Sequence, residues 1–139
     1  METVVFIDGL AQPTNPGTGT YAYVIYRQGK KVTEEGGLAG RGVTNNYAEY
    51  RALVMALRRL KTLGWTKDVE IRSDSKLLVG QMSQGWKVKG GGYIEEYKEA
   101  RELSVEFTSL RFEWIPRERN EEADLLSRIA YSKNRSPKS

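Results

Sequence analysis

Two absences narrow the residues that could do chemistry in this chain. Its 139 residues include no histidine and no cysteine. Histidine is the commonest general base and transition-metal ligand, so both roles must fall elsewhere. Without cysteine there is no disulfide, no thiolate nucleophile and no cysteine-ligated zinc or iron–sulfur site. Polar chemistry is left to carboxylates, Lys, Arg, Tyr, Ser, Thr and amides. A carboxylate cluster holding a hard cation such as Mg²⁺ or Mn²⁺ suits that inventory.

Four carboxylates are candidates for such a cluster. Asp8 follows the run 3–7 (TVVFI), which is apolar on both faces, as a buried central strand is. Asp74 follows 68–73 (DVEIRS), a second strand-like run. If those strands are parallel neighbours, both carboxylates lie at the sheet edge where open sheets place their ligands. Taken singly, Asp8-Gly9 is also a common turn pair, and Ser73 or Asp74 is also an ordinary helix cap. Glu49 is more telling. It precedes Leu53, Ala56 and Leu60 by four, seven and eleven positions, which places it on the apolar stripe of its helix. A lone buried carboxylate is costly unless a cation or proton neutralises it. The alternative is escape to solvent from the first turns of the helix. Asp124 is the least distinctive by position, because Glu121 and Glu122 make its helical turn acidic in any case. Several packed carboxylates repel and titrate upward unless cations neutralise them. Two such ions, about 3.5–4 Å apart, can activate water and stabilise a leaving oxygen in phosphodiester hydrolysis.

The elements that must position these groups are legible in outline. The chain reads as strands over 3–7, 20–27 and 31–38, with a Pro/Gly/Asn loop at 12–19, a hairpin signal at 28–30 and a loop at 40–43. A helix over 44–63 follows, with Leu53, Val54, Ala56, Leu57 and Leu60 on a broad face and Gly64 as its stop. Then come the strand 68–73, a helix over 74–84, a loop 85–92, a helix over 93–107 and a strand 110–115 ended by Pro116. Asn120 is expected to cap a last helix running to Tyr131. The order βββαβααβα calls for an α/β fold: one mixed sheet with helices on its faces and the fourth strand parallel to the first.

The length favours a single domain over 1–131, with 132–139 expected to be a disordered basic tail. No apolar run approaches the roughly 18 residues of a membrane span, and the first residues lack the basic start of a signal peptide. No membrane association is expected, and the absence of cysteine fits a reducing cytoplasm. The net charge of +4 and pI near 9.3 suit a polyanionic partner, though many basic proteins have none.

The segments FIDG (6–9) with NPG (15–17), TNNYAEYRAL (44–53), IRSDSKLLVGQM (71–82) and WIPRERNEEADLLSR (114–128) resemble the ordered motifs of type 1 ribonuclease H. The resemblance covers nearly the whole chain. It implies a ribonuclease H-like five-stranded mixed sheet, three antiparallel strands then two parallel, flanked by helices. It also implies endonucleolytic hydrolysis of the RNA strand of RNA–DNA hybrids, leaving 5′-phosphate and 3′-hydroxyl ends. The implied site is Asp8, Glu49, Asp74 and Asp124 around two Mg²⁺ or Mn²⁺ ions. Asn15, Asn45, Asn46 and Ser75 match positions that contact the hybrid, including RNA 2′-hydroxyls, which distinguish RNA from DNA; Asn45 and Asn46 could equally cap their helix. Double-stranded RNA is a further possible substrate, and a non-catalytic nucleic-acid-binding module is the competing class. A monomer is expected.

The chain departs from the family pattern twice. Many members carry a mobile histidine before the last acidic helix; here the corresponding segment reads Pro116-Arg117-Glu118-Arg119, and Arg117 or Arg119 is expected to act there on phosphate. Some members also carry a basic helical protrusion. The short loop 85–92 is expected to offer a reduced version through Trp86, Lys87 and Lys89, by stacking and phosphate contact. Trp86 could equally anchor the loop to the core.

Overall fold

In the computed structural model, which describes residues 2–135, five strands form one mixed sheet in the order β3-β2-β1-β4-β5. The elements are β1 (Thr3–Gln12), β2 (Gly17–Arg27), β3 (Lys30–Val43), α1 (Asn45–Leu63), β4 (Val69–Ser73), α2 (Lys76–Ser83), α3 (Ile94–Ser104), β5 (Leu110–Trp114) and α4 (Glu121–Asn134), with a 3-10 turn at Arg117–Arg119. β1, β2 and β3 form the antiparallel meander, and β4 lies parallel to both β1 and β5. The order βββαβααβα and the α/β class are therefore those expected.

β1 is central because both of its faces are covered. Val5 and Ile7 are buried in the main core together with Leu53, Leu57 and Leu60 of α1. Phe6, on the opposite face, packs with Ala22, Val24 and Ala123 in a second cluster toward α4. Burying a Leu side chain contributes about 1.5–3 kcal/mol, so the α1 stripe supplies much of the stability. Thr44 caps α1 by accepting from the Tyr47 N–H, and Gly64 ends the helix in the left-handed conformation.

Several boundaries differ from expectation: β2 begins at Gly17, inside the expected 12–19 loop, and α3 ends at Ser104, three residues short of 107. β1 does not stop at Asp8-Gly9 but continues to Gln12, because β2 keeps pairing with it: Asp8 lies opposite Ala22 and Gly9 opposite Tyr21. Residues 40–43 are strand rather than loop. Gly17 pairs with Val43 across the ladder, and Gly19 leaves room for the Val43 side chain, which a Cβ at position 19 would approach to 2.4 Å. Ladder pairing overrides the weak strand propensity of glycine. Finally, α4 runs three residues past Tyr131, so the start of the expected tail is helical; residues 136–139 lie outside the described residues. Among the described residues no helix is long and apolar enough to cross a membrane.

Candidate active site

The site lies where β1 outruns its parallel neighbour. The β1–β4 pairing ends at Phe6 opposite Arg72, whereas β1 continues past Asp8. Asp8 is therefore mid-strand, not at a strand end, yet it faces an edge that β4 has vacated. Asp74 sits one residue beyond β4, and Glu49 projects from the first turns of α1. One carboxylate oxygen from each of Asp8, Glu49 and Asp74 lies within 4.8 Å of the other two. Asp124, from the first turn of α4, lines the same small cavity and is held by Arg128 four residues on, at 3.1 Å. At about 70 Å³ the cavity suits ions and waters rather than an organic ligand, whose pockets are typically several hundred Å³.

Gly9 sets how closely these groups meet. A Cβ there would lie 2.2 Å from the Ala48 carbonyl carbon and 2.4 Å from the Glu49 nitrogen. The backbone of α1 thus rests directly on the backbone of β1, and the Gly9 N–H helps to hold the Asp8 and Glu49 carboxyls. Asp8 is 6% exposed and Glu49 9%. Burial, then the neighbouring charges of Asp74 and Asp124, pushes the Asp8 carboxyl up to about 8. Burial, then Asp8 and Asp74, holds Glu49 well above the usual carboxylate range. The Glu49 Oε1 atom is buried with no hydrogen-bond partner. A buried, unpartnered acceptor among hard oxygen donors fits a divalent cation, and the donor set suits Mg²⁺ or Mn²⁺.

Of the remaining expected residues, several converge here. Asn45 lines the cavity. Its side-chain oxygen accepts from the Ala11 N–H, while its own N–H donates to Asn15 Oδ1, so the pair ties the β1–β2 turn to the start of α1. Asn45 is thus not the helix cap. Asn46 is exposed beside it. The Ser75 hydroxyl caps α2 by accepting from the Leu78 N–H. Arg117 lines the cavity, and its charge partly offsets the crowding at Glu49. Arg119 does not reach the site. It faces a separate cleft of about 550 Å³ with Phe6, Tyr26 and Arg72. Trp86, Lys87 and Lys89 are exposed on the loop after α2.

Asn120 was expected to cap α4, but its side chain makes no cap bond. It is 1% exposed, and its amide donates to the Ile7 carbonyl at 2.8 Å and to Asp74 Oδ2 at 3.3 Å. It fills the edge of β1 that β4 leaves bare and orients Asp74, whose own carbonyl accepts from the Trp114 indole. Nothing in the sequence separates this role from capping, because both place Asn just before a helix. The Asp124–Arg128 pair was not read from the sequence, although its i,i+4 spacing is the signal that could have found it.

The reverse transcriptase-like family matches residues 6–130. A bifunctional protein of Mycobacterium tuberculosis is 38% identical over 131 residues; that alignment covers 94% of this chain, which spans only 35% of the mycobacterial protein. The ribonuclease HI of Synechocystis is 30% identical, covering 94% of this chain and 88% of its own length. Among solved structures, RNase H1 of Halobacterium salinarum superposes with a TM-score of 0.88 at 32% identity, covering 95% of this chain and 98% of that one. LC11-RNase H1, solved in complex with an RNA/DNA hybrid, superposes with a TM-score of 0.87 at 35% identity, covering 94% and 97%. With its fold, its carboxylate cluster and these relatives in agreement, the chain belongs to the reverse transcriptase-like family and, within it, to the type 1 ribonucleases H.

Proposed function

We propose that this chain is a monomeric endonuclease that hydrolyses the RNA strand of RNA–DNA hybrids with two divalent ions, leaving 5′-phosphate and 3′-hydroxyl ends. The observation that carries the reading is the convergence of Asp8, Glu49 and Asp74 within 4.8 Å, with a buried Glu49 oxygen left unpartnered. A surface that merely bound a polyanion would gain nothing from clustered negative charge. Asp8, Glu49, Asp74 and Asp124 would hold the ions. When bound, a pair of divalent ions supplies a nucleophilic water at neutral pH and stabilises the departing oxygen.

The chain's own residues do the rest. Water adds to phosphorus, the bond to the 3′ oxygen breaks, and the 3′ oxygen departs with a proton. Arg117, which lines the cavity, would draw the scissile phosphate toward the carboxylates. Asn15, Asn45, Asn46 and Ser75 border the cavity or the elements that frame it, where amide and hydroxyl groups can read 2′-hydroxyls. Trp86, Lys87 and Lys89 offer a stacking face and two cations to the substrate backbone.

The test is cleavage of labelled RNA–DNA hybrid, double-stranded RNA and double-stranded DNA with Mg²⁺, with Mn²⁺ and with EDTA. Cutting of the hybrid's RNA strand, lost in EDTA and in Asp8→Asn, is the expected result. Equal cutting of double-stranded RNA would replace hybrid selectivity with a broader nuclease. Binding without cutting under every metal condition would replace the enzyme with a binding module.

A further inference from the structure

The segment 85–92 ought to be loose. Its glycines 85, 90 and 91 have positive φ, no helix or strand spans it, and it carries no acidic residue to pair with Lys87 or Lys89. Its middle is nevertheless pinned. The Trp86 N–H donates to the Gly80 carbonyl at 3.1 Å. The Trp86 ring lies flush on Gly80, where a Cβ would come within 2.1 Å of it, while the residue stays 47% exposed. Val88 packs against the main core between the two exposed lysines.

The fastening that reaches deepest is Gln81, only 1% exposed. Its Oε1 accepts from the Tyr50 hydroxyl at 2.7 Å. Its Nε2 donates to the Lys87 carbonyl and to the Tyr93 hydroxyl, both at 3.0 Å. Tyr50 and Tyr93 are themselves stacked, with ring centroids 5.4 Å apart. Arg101 of α3 closes the end of α2 by donating to the Gln81 and Met82 carbonyls. An amide suits position 81, because the site asks one side chain to accept once and to donate twice. Tyr50 follows Glu49 on α1, and Gln81 lies at the far end of the helix that begins after Asp74. The lysines are thus referenced to the helix that carries Glu49 and the helix that follows Asp74.

We infer that Gln81 is a positioning residue that holds segment 86–89 as a preformed platform for the phosphate backbone of the nucleic acid, at a fixed distance from the carboxylates. The inference rests on the platform contacts proposed above. Its physical content is preorganisation: the ordering cost of a glycine-flanked loop is met in the free protein and not on binding.

Binding of a short labelled RNA–DNA hybrid, measured in EDTA so that nothing is cut, tests this. Gln81→Met keeps the volume and removes the polar bonds, and Gln81→Glu keeps the acceptor but sets a carboxylate against the Lys87 carbonyl. Each should weaken binding about fivefold, with KM rising in step and kcat at saturation changed by less than about twofold. Tyr50→Phe, which keeps the ring stack and removes one hydroxyl, should weaken binding by about twofold, and serves if the Gln81 variants fold poorly. The deciding background is Trp86→Ala/Lys87→Ala/Lys89→Ala, in which adding Gln81→Met should change affinity by less than about twofold, because the two act as one unit. A full effect of Gln81→Met in that background, or wild-type affinity in both Gln81 variants, overturns the inference. Wild-type protein that neither binds nor cuts the hybrid overturns the proposed function instead.

Discussion

Asp8 and Glu49 are carboxyls that the folded protein holds against their preference for charge. Both have folded-state pKa values raised above those of the unfolded chain, Asp8 to about 8. The folded state therefore binds more protons than the unfolded state, and their contribution to stability is fully present below about pH 4 and lost as pH rises through about 8. In EDTA the melting temperature should fall between pH 6 and 9 by at least about 5 °C, and saturating Mn²⁺ should reverse much of that fall. A flat profile in EDTA would contradict the burial of these groups. Cation binding must also expel protons, so calorimetry at pH 7 in buffers of different ionisation enthalpy should report release of about one proton or more. The two arginines divide by position. Arg117→Ala should slow turnover by about tenfold or more and leave Mn²⁺ affinity within about twofold, as loss of a charge-assisted phosphate contact implies. Arg119→Ala should turn over like the wild type, because its side chain faces the other cleft.

At the scale of elements, the site depends on how closely α1 sits on β1. Gly9→Ala places a methyl group against the helix backbone, where no rotamer can relieve it. Separating the two elements should cost about 1–3 kcal/mol of stability, readable in urea unfolding, and lower activity well beyond the fraction unfolded. Gly9→Ala with normal cleavage would show that the spacing is not critical. This contact also shows why the sequence was legible only in part. Glu49 could be read because helical period is local: three apolar residues at four, seven and eleven positions place it without knowledge of what α1 packs against. Asp8 was found for a reason that proved incomplete, since Asp8-Gly9 reads as a turn. What holds it in strand is pairing with Ala22 and Tyr21 in a different segment. Asn120 does stand at the N-cap position of α4, but the role of its side chain was hidden for the same cause. A cap is a local event, whereas its real partner, the Ile7 carbonyl, is 113 positions away. The β3 extension over 40–43 was hidden likewise, because Gly40 pairs with Gly19 and lies against Val43, which the local sequence does not show.

At the scale of the molecule, a net charge of +4 coexists with a cluster of carboxylates. In the proposed reading, cations at Arg117, Lys87 and Lys89 draw a polyanion in, and the carboxylate cup at the centre needs divalent counter-charge for cutting rather than for binding. Affinity for the hybrid should therefore fall steeply with salt, and the Lys87→Ala/Lys89→Ala variant should show a log–log salt slope shallower by about one to two units. An unchanged slope would place the phosphate contacts elsewhere. The bond from Asn120 to Ile7 has a consequence of another kind. It joins the first strand to the last helix, and the carboxylates beside it come from both ends of the fold and from two elements between. No fragment and no half-folded intermediate contains the site. Activity is then a property of the finished chain alone, and the rate of cutting counts the molecules that have completed folding.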